Sequence, residues 1–380
     1  MDPSRTVAVV ASDLVPTGGM DMPNLALAAH LARRGHEVHV VTYRADPSLA
    51  EAPGVRLHRV PKPFDSYMLG APLLASKGLL VARDVLKAGG RVIANGGNCP
   101  AGDVNWVHYV HAAYTRSPPP GWRIAKEFVD TRASRATERR ALRGARLILA
   151  NSRRTESDLI ERLDLPPERI QVVYYGVDER FHVASAAERA AARAALELDA
   201  RPALCFVGAL GDHRKGFDTL FDAWSLLGRD WDAVLLVVGR GALQEHFRAR
   251  AAAEGFSNIR FLGFRTDVPR ILHAADAMVA PTRYEAFGQA VAEAVASGLP
   301  VIVSAGAGVV ERLGSAFDEL LLGDPDSATE LASRLRRWRD ELERFRSAAA
   351  ERSPLVRERT WDVMAEEIRR LMYAGASLAA

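Results

Sequence analysis

Ala203-Leu204-Cys205-Phe206-Val207 is an uninterrupted apolar run, and the pattern after it decides the fold: a turn at Gly208, a helical pattern over Phe217–Leu227, and a second apolar run at Ala233–Val238. A helical pattern over Ala242–Glu254 and a run at Ile259–Leu262 continue the rhythm, and further strands are predicted at Ala277–Ala280 and Val301–Ser304. Fully apolar strands alternating with helices predict a parallel sheet covered on both faces. The N-terminal part repeats the pattern, with a run at Thr6–Ala11, a Gly-Gly turn, a helix across Asn24–Arg34 and a strand at Glu37–Thr42. The fold class is therefore α/β: two doubly wound, Rossmann-like parallel-sheet domains, with ligands expected at the carboxyl ends of the strands in the cleft between them. Between the two series lies an Ala/Arg/Glu-rich helix from about Ser185 to Leu198, whose start reads as a capping box of Ser185 and Glu188. We divide the chain into residues 1–180 and 181–359, and expect two closing amphipathic helices, about Ser327–Ala349 and Arg359–Ala374.

With 380 residues, 48% hydrophobic and 26% charged, the chain can bury two cores. The formal charge of +3 suits an anionic small ligand or an anionic membrane surface. It lacks the clustered basic face expected of a nucleic-acid binder. Cys99 and Cys205 lie in different halves and build neither a disulfide framework nor a thiolate metal site, so a reduced, cytoplasmic protein is expected. Neither a secretory leader nor a run of the ~20 apolar residues needed to span a bilayer is present, so neither is expected.

The segment Arg283 to Pro300 carries the most chemistry. It follows the strand ending at Ala280 and opens a helix near Phe287. Backbone N–H groups at Ala286, Phe287 and Gly288, with a helix dipole behind them, suit an anion. Glu293 lies about two turns on, where its carboxylate can accept from a ribose diol, and Glu285 precedes the helix, within reach of sugar hydroxyls. They read equally as solvated glutamates, but the small apolar residues Ala290, Val291, Ala292, Ala294 and Val295 around Glu293 favour a partly buried carboxyl that needs partners. The loop Gly208-Ala209-Leu210-Gly211-Asp212-His213-Arg214-Lys215-Gly216 follows a strand and places Arg214 and Lys215 at the mouth of a helix, where they would stabilise a departing diphosphate. Alone, this loop reads as a solvated basic turn.

Together these segments resemble the retaining GT-B glycosyltransferases of family 4. Glu285 and Glu293 match the family's E-x7-E motif, and Lys215-Gly216-Phe217-Asp218-Thr219-Leu220 matches its K-G-x-x-x-L pattern. Gly18-Gly19 resembles its N-terminal glycine loop, Arg34-Gly35-His36-Glu37-Val38 its R-G-H-x-V strand start, and Tyr175-Gly176-Val177-Asp178 its N-G-V-D run. The resemblance implies that a terminal helix of about 360–380 crosses back onto the first domain. It also implies that Gly239, Arg240, Phe264 and Arg265 at strand ends lie by the nucleotide base. Two departures stand out. Where members carry G-R-L this chain has Gly208-Ala209-Leu210, and Arg214 is the expected substitute. Tyr175 replaces the usual asparagine, which we read as neutral.

The same resemblance puts acceptor recognition in the first domain and a histidine near the donor sugar. Trp106–His111 alternates like a strand, and His111 at its end is the best match; His108 points the same way as Val110, away from His111. Pro23 near the first helix start is expected to shape the acceptor pocket. Trp122 to Arg146 is rich in arginine, with Trp122 and Phe128 interleaved. One reading is a helix lying peripherally on anionic lipid at the inner face of the membrane. The other, which we favour, is a solvated face where Glu127, Asp130 and Glu138 form helical pairs. Gly239-Arg240-Gly241 only partly mimics a dinucleotide fingerprint, and Asp324-Pro325-Asp326 reads as a helix cap rather than a metal-binding D-x-D.

The resemblance implies transfer with retention, no metal, no cofactor beyond the substrate nucleotide-sugar, and no protein nucleophile. Lys215, Glu285 and His111 are the catalytic candidates, and UDP is the first expected base, GDP the second. A sugar-nucleotide epimerase or a phosphorylase on the same fold is the alternative; an epimerase would convert donor without acceptor. A non-catalytic sugar-nucleotide-binding subunit would be expected to lack Glu285 or Lys215.

Overall fold

The computed structural model describes residues 5–114 and 123–374, the side chains of 123–131 excepted. The chain divides into two compact units: Met1–Gly176 with Thr360–Ala380, and Val177–Arg359.

Unit 1 contains strands β1 (Thr6–Val10), β2 (Asp13–Leu14), β3 (Glu37–Thr42), β4 (Arg44–Ala45), β5 (Val55–Arg59), β6 (Arg91–Asn95), β7 (Val104–Val107), β8 (Leu147–Ala150) and β9 (Ile170–Val172). Its helices are α1 (Asp21–Arg33), α2 (Pro47–Ala50), α3 (Tyr67–Lys87), α4 (Arg123–Gly144) and α5 (Arg153–Leu163). Seven strands form one parallel sheet in the order β5-β3-β1-β6-β7-β8-β9, and β2 pairs with β4 apart from it. The order reverses between β1 and β6, the switch point where doubly wound sheets open a ligand crevice. Connections on the two sides of that point run in opposite directions, so right-handed crossovers put α1 on one face and α3, α4 and α5 on the other. Leu74, Val81 and Val85 of α3 pack with Val10, Val41 and Ala94 of the sheet. The approach is close enough that a Cβ at Gly78 would stand 2.9 Å from Val10 Cγ1.

Unit 2 begins with α6 (Ala186–Ala195), where the capping box of Ser185 and Glu188 is formed as its sequence predicts. Its strands are β10 (Ala203–Val207), β11 (Val234–Val238), β12 (Ile259–Gly263), β13 (Ala277–Ala280) and β14 (Val301–Val303), in the parallel order β12-β11-β10-β13-β14. The helices α7 (Phe217–Leu227), α8 (Gln244–Ala253), α9 (Val268–Ala274) and α10 (Gln289–Ala296) connect them. All five residues of β11 are buried, as a central parallel strand requires. The helix expected over Ser327–Ala349 is two helices, α11 (Ala328–Asp340) and α12 (Leu342–Arg357). The chain leaves helical geometry at Glu341, whose carboxylate bridges Arg337 and Arg344 across the break.

The last helix, α13 (Trp361–Tyr373), belongs to unit 1 and packs on α1. Thr360 caps it, and His30 of α1 lies 3.0 Å from Asp362 and 3.2 Å from Glu366. Cys99 and Cys205 are buried free thiols, and burial pushes both up to about 12.

Candidate active site

The loops that follow β10 and β13 flank the switch point of the unit 2 sheet. They carry Lys215 and Glu285. Three contacts bring them together. Gly216 has φ +66°, and a side chain there would collide with Pro281 O, so the turn His213–Lys215 lies directly on the loop after β13. Arg283 N–H donates to Arg214 O at 2.8 Å. The Arg283 guanidinium then holds Asp218 through two hydrogen bonds of 2.8 and 2.9 Å, with Asp326 and His213 O as further acceptors. Arg283 is thus a tie between loops. Across that tie, Lys215 Nζ donates to Glu285 Oε2 at 2.6 Å, with both side chains only 20–28% exposed.

The Glu285 loop is itself anchored. Gly308 N–H donates to Glu285 O, Val309 N–H donates to Phe287 O, and Ala286 and Phe287 are buried. The helix begins at Gln289 and not near Phe287, because Gly288, at φ +114°, takes the left-handed conformation that ends the loop. Ala286, Phe287 and Gly288 therefore form the turn before the helix. Glu293 stands one turn into α10 and accepts from Gln289 Nε2 at 3.3 Å. Burial pushes its carboxyl up to about 8, with Asp178 adding to the rise and the Gln289 bond and Arg180 opposing it, although part of the side chain stays accessible. A carboxyl raised above its unfolded value takes up a proton on folding. Its stabilising contribution is present below the ordinary carboxylate range and is lost as pH rises through about 8. Glu293→Gln is therefore expected to raise the melting temperature above about pH 8 by about 2–8 °C, the shift that about 1–2 kcal/mol produces in a domain of this size, and to leave it unchanged in mild acid. Melting curves at both pH values check this.

The other strand-end groups of unit 2 fall into two kinds. Gly239 and Gly241 have no room for a side chain, since Cβ atoms there would collide with Gly208 O and Leu210 O. They lace the loops after β10 and β11 together, with Leu210 N–H donating to Arg240 O. Arg240 stands over the ring of Phe264, itself 51% exposed, so these two present a flat, accessible surface. Arg214 and Arg265 each grip an aspartate two residues away, Asp212 and Asp267. Asp326 is engaged by Arg283, and the cap of α11 is Ser327. Among the described residues no group of three or more His, Cys, Asp or Glu side chains could hold a metal ion.

In unit 1, Gly18 and Gly19 are exposed in the loop before α1, and Gly18 O accepts from Asp21 and Met22 N–H. Pro23 lies in the first turn of α1, where its missing N–H costs nothing. The strand expected to run through His111 ends at Val107, where its pairing with Ala150 of β8 stops. His111 lies in the following turn and is exposed, whereas His108 and Val110 are buried, the opposition that alternation predicts. His108 Nε2 is 2.9 Å from Asn95 Nδ2 and 3.2 Å from Asn24 Oδ1, and Nδ1 meets the Tyr175 hydroxyl. Burial pushes this imidazole down to about 3. Tyr175 is not a neutral replacement: Asn151 Nδ2 also donates to its hydroxyl at 3.0 Å, which makes it the hub of the network.

One residue escapes the sequence argument. Glu138, whose pattern suggests a solvated helix residue, is 0% exposed. Its Oε1 accepts from His111 N–H at 3.0 Å, and Ala112 N–H is a second donor to the carboxylate. Desolvation pushes it up to about 7, against the pull of those donors and of Arg135. The signal was available: Glu138, Ala141, Leu142 and Ala145 share one face at helical spacing, and all are buried. Trp122, and the side chains of Glu127, Phe128 and Asp130, lie outside the described residues.

A family model described as Glycosyltransferase Family 4 matches residues 17–181, and one described as Glycosyl transferases group 1 matches residues 201–340. A D-inositol 3-phosphate glycosyltransferase of Mycobacterium sp. (strain KMS) is 32% identical over 341 residues, covering 81% of this chain and 76% of the relative. The chain belongs to the family 4 glycosyltransferases. Among solved structures, WaaG, a glycosyltransferase involved in lipopolysaccharide biosynthesis, superposes with a TM-score of 0.80 at 22% identity, over 97% of this chain and 100% of that one. Sucrose-phosphate synthase from Thermosynechococcus elongatus gives 0.79 at 21% identity, over 99% and 100%. Both share the GT-B fold of this glycosyltransferase.

Proposed function

We propose that this glycosyltransferase moves a sugar, with retention of configuration and without a metal ion, from a nucleoside-diphosphate sugar to a hydroxyl acceptor. The Lys215–Glu285 contact of 2.6 Å carries the proposal, because it sets a cation and a carboxylate side by side at a sheet switch point. Lys215 neutralises the departing diphosphate, and Glu285 accepts from sugar hydroxyls. Glu293 accepts from the ribose, the turn Ala286–Gly288 contacts phosphate, and the Arg240–Phe264 surface takes the base. The acceptor oxygen attacks on the side the diphosphate leaves, so the protein supplies position and charge and no nucleophile. With Arg214 engaged by Asp212, Lys215 is the principal cation of the leaving group. His111 joins this machinery on the family resemblance alone.

UDP-sugars are the donors to test first and GDP-sugars second. The relatives' names make D-inositol 3-phosphate the first acceptor to try, with simple polyols and sugars beside it. Buried, unpaired thiols support a reducing, cytoplasmic location. The test incubates the protein with α-linked donors, acceptor and EDTA, and reads the product's anomeric configuration by NMR. An α-linked product, formed at the same rate with EDTA, is expected. A β-linked product overturns retention, loss of turnover in EDTA overturns metal independence, and donor conversion without acceptor assigns an epimerase.

A further inference from the structure

Helix α3 buries one face in unit 1 and leaves the other apolar. Opposite Leu74, Val81 and Val85, the helical spacing sets Leu69, Leu73 and Leu80, which are 44%, 41% and 61% exposed. A helix covering a sheet ordinarily turns charges outward, so a leucine stripe on the wet side has no folding reason. The charges interleaved with it are Lys77, Arg83 and Lys87 against Asp84 alone. None of the three cations has an ion-pair partner among the described residues, so their charge is not neutralised within the unit.

A second observation lies at the start of the helix. Phe64 is 95% exposed and sits at φ +51°, followed by Asp65 at φ +54°. Two successive non-glycine residues in the left-handed region are strained, and here the strain holds an aromatic ring out into water. The turn is braced from behind, with Lys62 paired to Asp65 at 2.7 Å and the Tyr67 hydroxyl donating to Asp13 at 2.5 Å.

We propose that the outward face of α3, led by Phe64, docks unit 1 on an anionic lipid bilayer. Leucines and an aromatic ring would enter the boundary between headgroups and acyl chains, while Lys77, Arg83 and Lys87 meet anionic headgroups. The unpaired cations also decide against a second copy of the chain. A two-fold dimer on this face would bring together two surfaces of the same net positive charge. No helix of the described residues is long and apolar enough to cross a membrane, so α3 would lie in the plane of the interface. Exposed arginines of α4, on the same face of the sheet, add to the positive field.

The test floats the full chain with vesicles of phosphatidylglycerol and phosphatidylcholine, and with phosphatidylcholine alone. Binding to the anionic vesicles only is expected, with release at about 0.5 M salt, where screening shortens the reach of the cations to a few ångströms. Leu73→Ser with Leu80→Ser, and separately Phe64→Ser, are each expected to weaken binding about tenfold or more, as is Lys77→Glu with Lys87→Glu. Melting temperatures should fall by no more than a few degrees, the cost of lower helix propensity and partial burial, since none of the five side chains is fully buried. Wild-type protein that ignores anionic vesicles, or binding that the variants leave unchanged, overturns the proposal. So does a dimer in sedimentation analysis that the leucine variant dissolves, which would assign the face to a second copy.

Discussion

Lys215→Ala is expected to lower kcat/KM about 10²–10³-fold, the effect of deleting one preorganised group that stabilises developing charge. In the free protein its ammonium rests on Glu285 at 2.6 Å. In the transition state it would turn that charge to the diphosphate oxygens, where bond breaking concentrates negative charge. An interaction that strengthens as the bond breaks falls mainly on kcat. Lys215→Arg should rescue only in part, because a planar fork replaces the point charge that meets Glu285 at 2.6 Å. The fold should hardly notice either change: a partly exposed pair contributes about 0–1 kcal/mol. Steady-state kinetics beside thermal melts measure both. Unchanged turnover in Lys215→Ala would remove the residue from the mechanism.

Glu138→Ala is expected to destabilise unit 1 by about 2–4 kcal/mol, since it strips the acceptor from the N–H groups of His111 and Ala112, each of which costs about 1–3 kcal/mol when left unsatisfied. It should also slow turnover, by releasing the turn that presents His111. Glu138→Gln keeps an acceptor oxygen and should recover most of the stability. Its pH behaviour separates it from wild type. The Glu138 carboxyl, raised to about 7, contributes stability that is present below the ordinary carboxylate range and lost as pH rises through about 7. Wild-type melting temperature should therefore fall over that interval more steeply than that of Glu138→Gln. Melts of Glu138→Ala that coincide with wild type would show the buried carboxyl to be idle. Turnover lost in His111→Ala but kept in Glu138→Ala would show that the turn needs no brace.

The parallel sheets were readable because their strands are apolar on both sides and because turns and caps punctuate them. Glu37–Thr42, Ala203–Val207, Phe217–Leu227 and Ala277–Ala280 stand where the periodicity sets them. The misjudged positions have two causes, a local backbone conformation that composition does not announce and tertiary contacts that no local pattern encodes. Gly288 delays a helix by taking a conformation open to glycine. Glu341 divides one helix in two by leaving helical geometry at φ −121°. The strand before His111 stops where its neighbour β8 stops. The nearness of Lys215 and Glu285, seventy residues apart, was legible only through family motifs; the glycine and arginine contacts that create it were not. Glu138 and Tyr175 were misread because a charged or polar side chain in a helix or loop is usually solvated. Burial reverses the rule, and their partners lie on other elements.

The Lys215–Glu285 contact has a bearing on which anions can interfere with the enzyme. A bare lysine at a helix mouth would take up any phosphate in solution. This one is already neutralised, so an incoming anion must break a contact before it makes one. Inorganic phosphate satisfies Lys215 but strands Glu285 without a donor, and a free sugar does the reverse. Only a molecule that carries phosphate oxygens and sugar hydroxyls at the right separation replaces both halves of the broken pair at once. On the proposed function, the ion pair works as a coincidence detector, rejecting the fragments of a donor while admitting the whole.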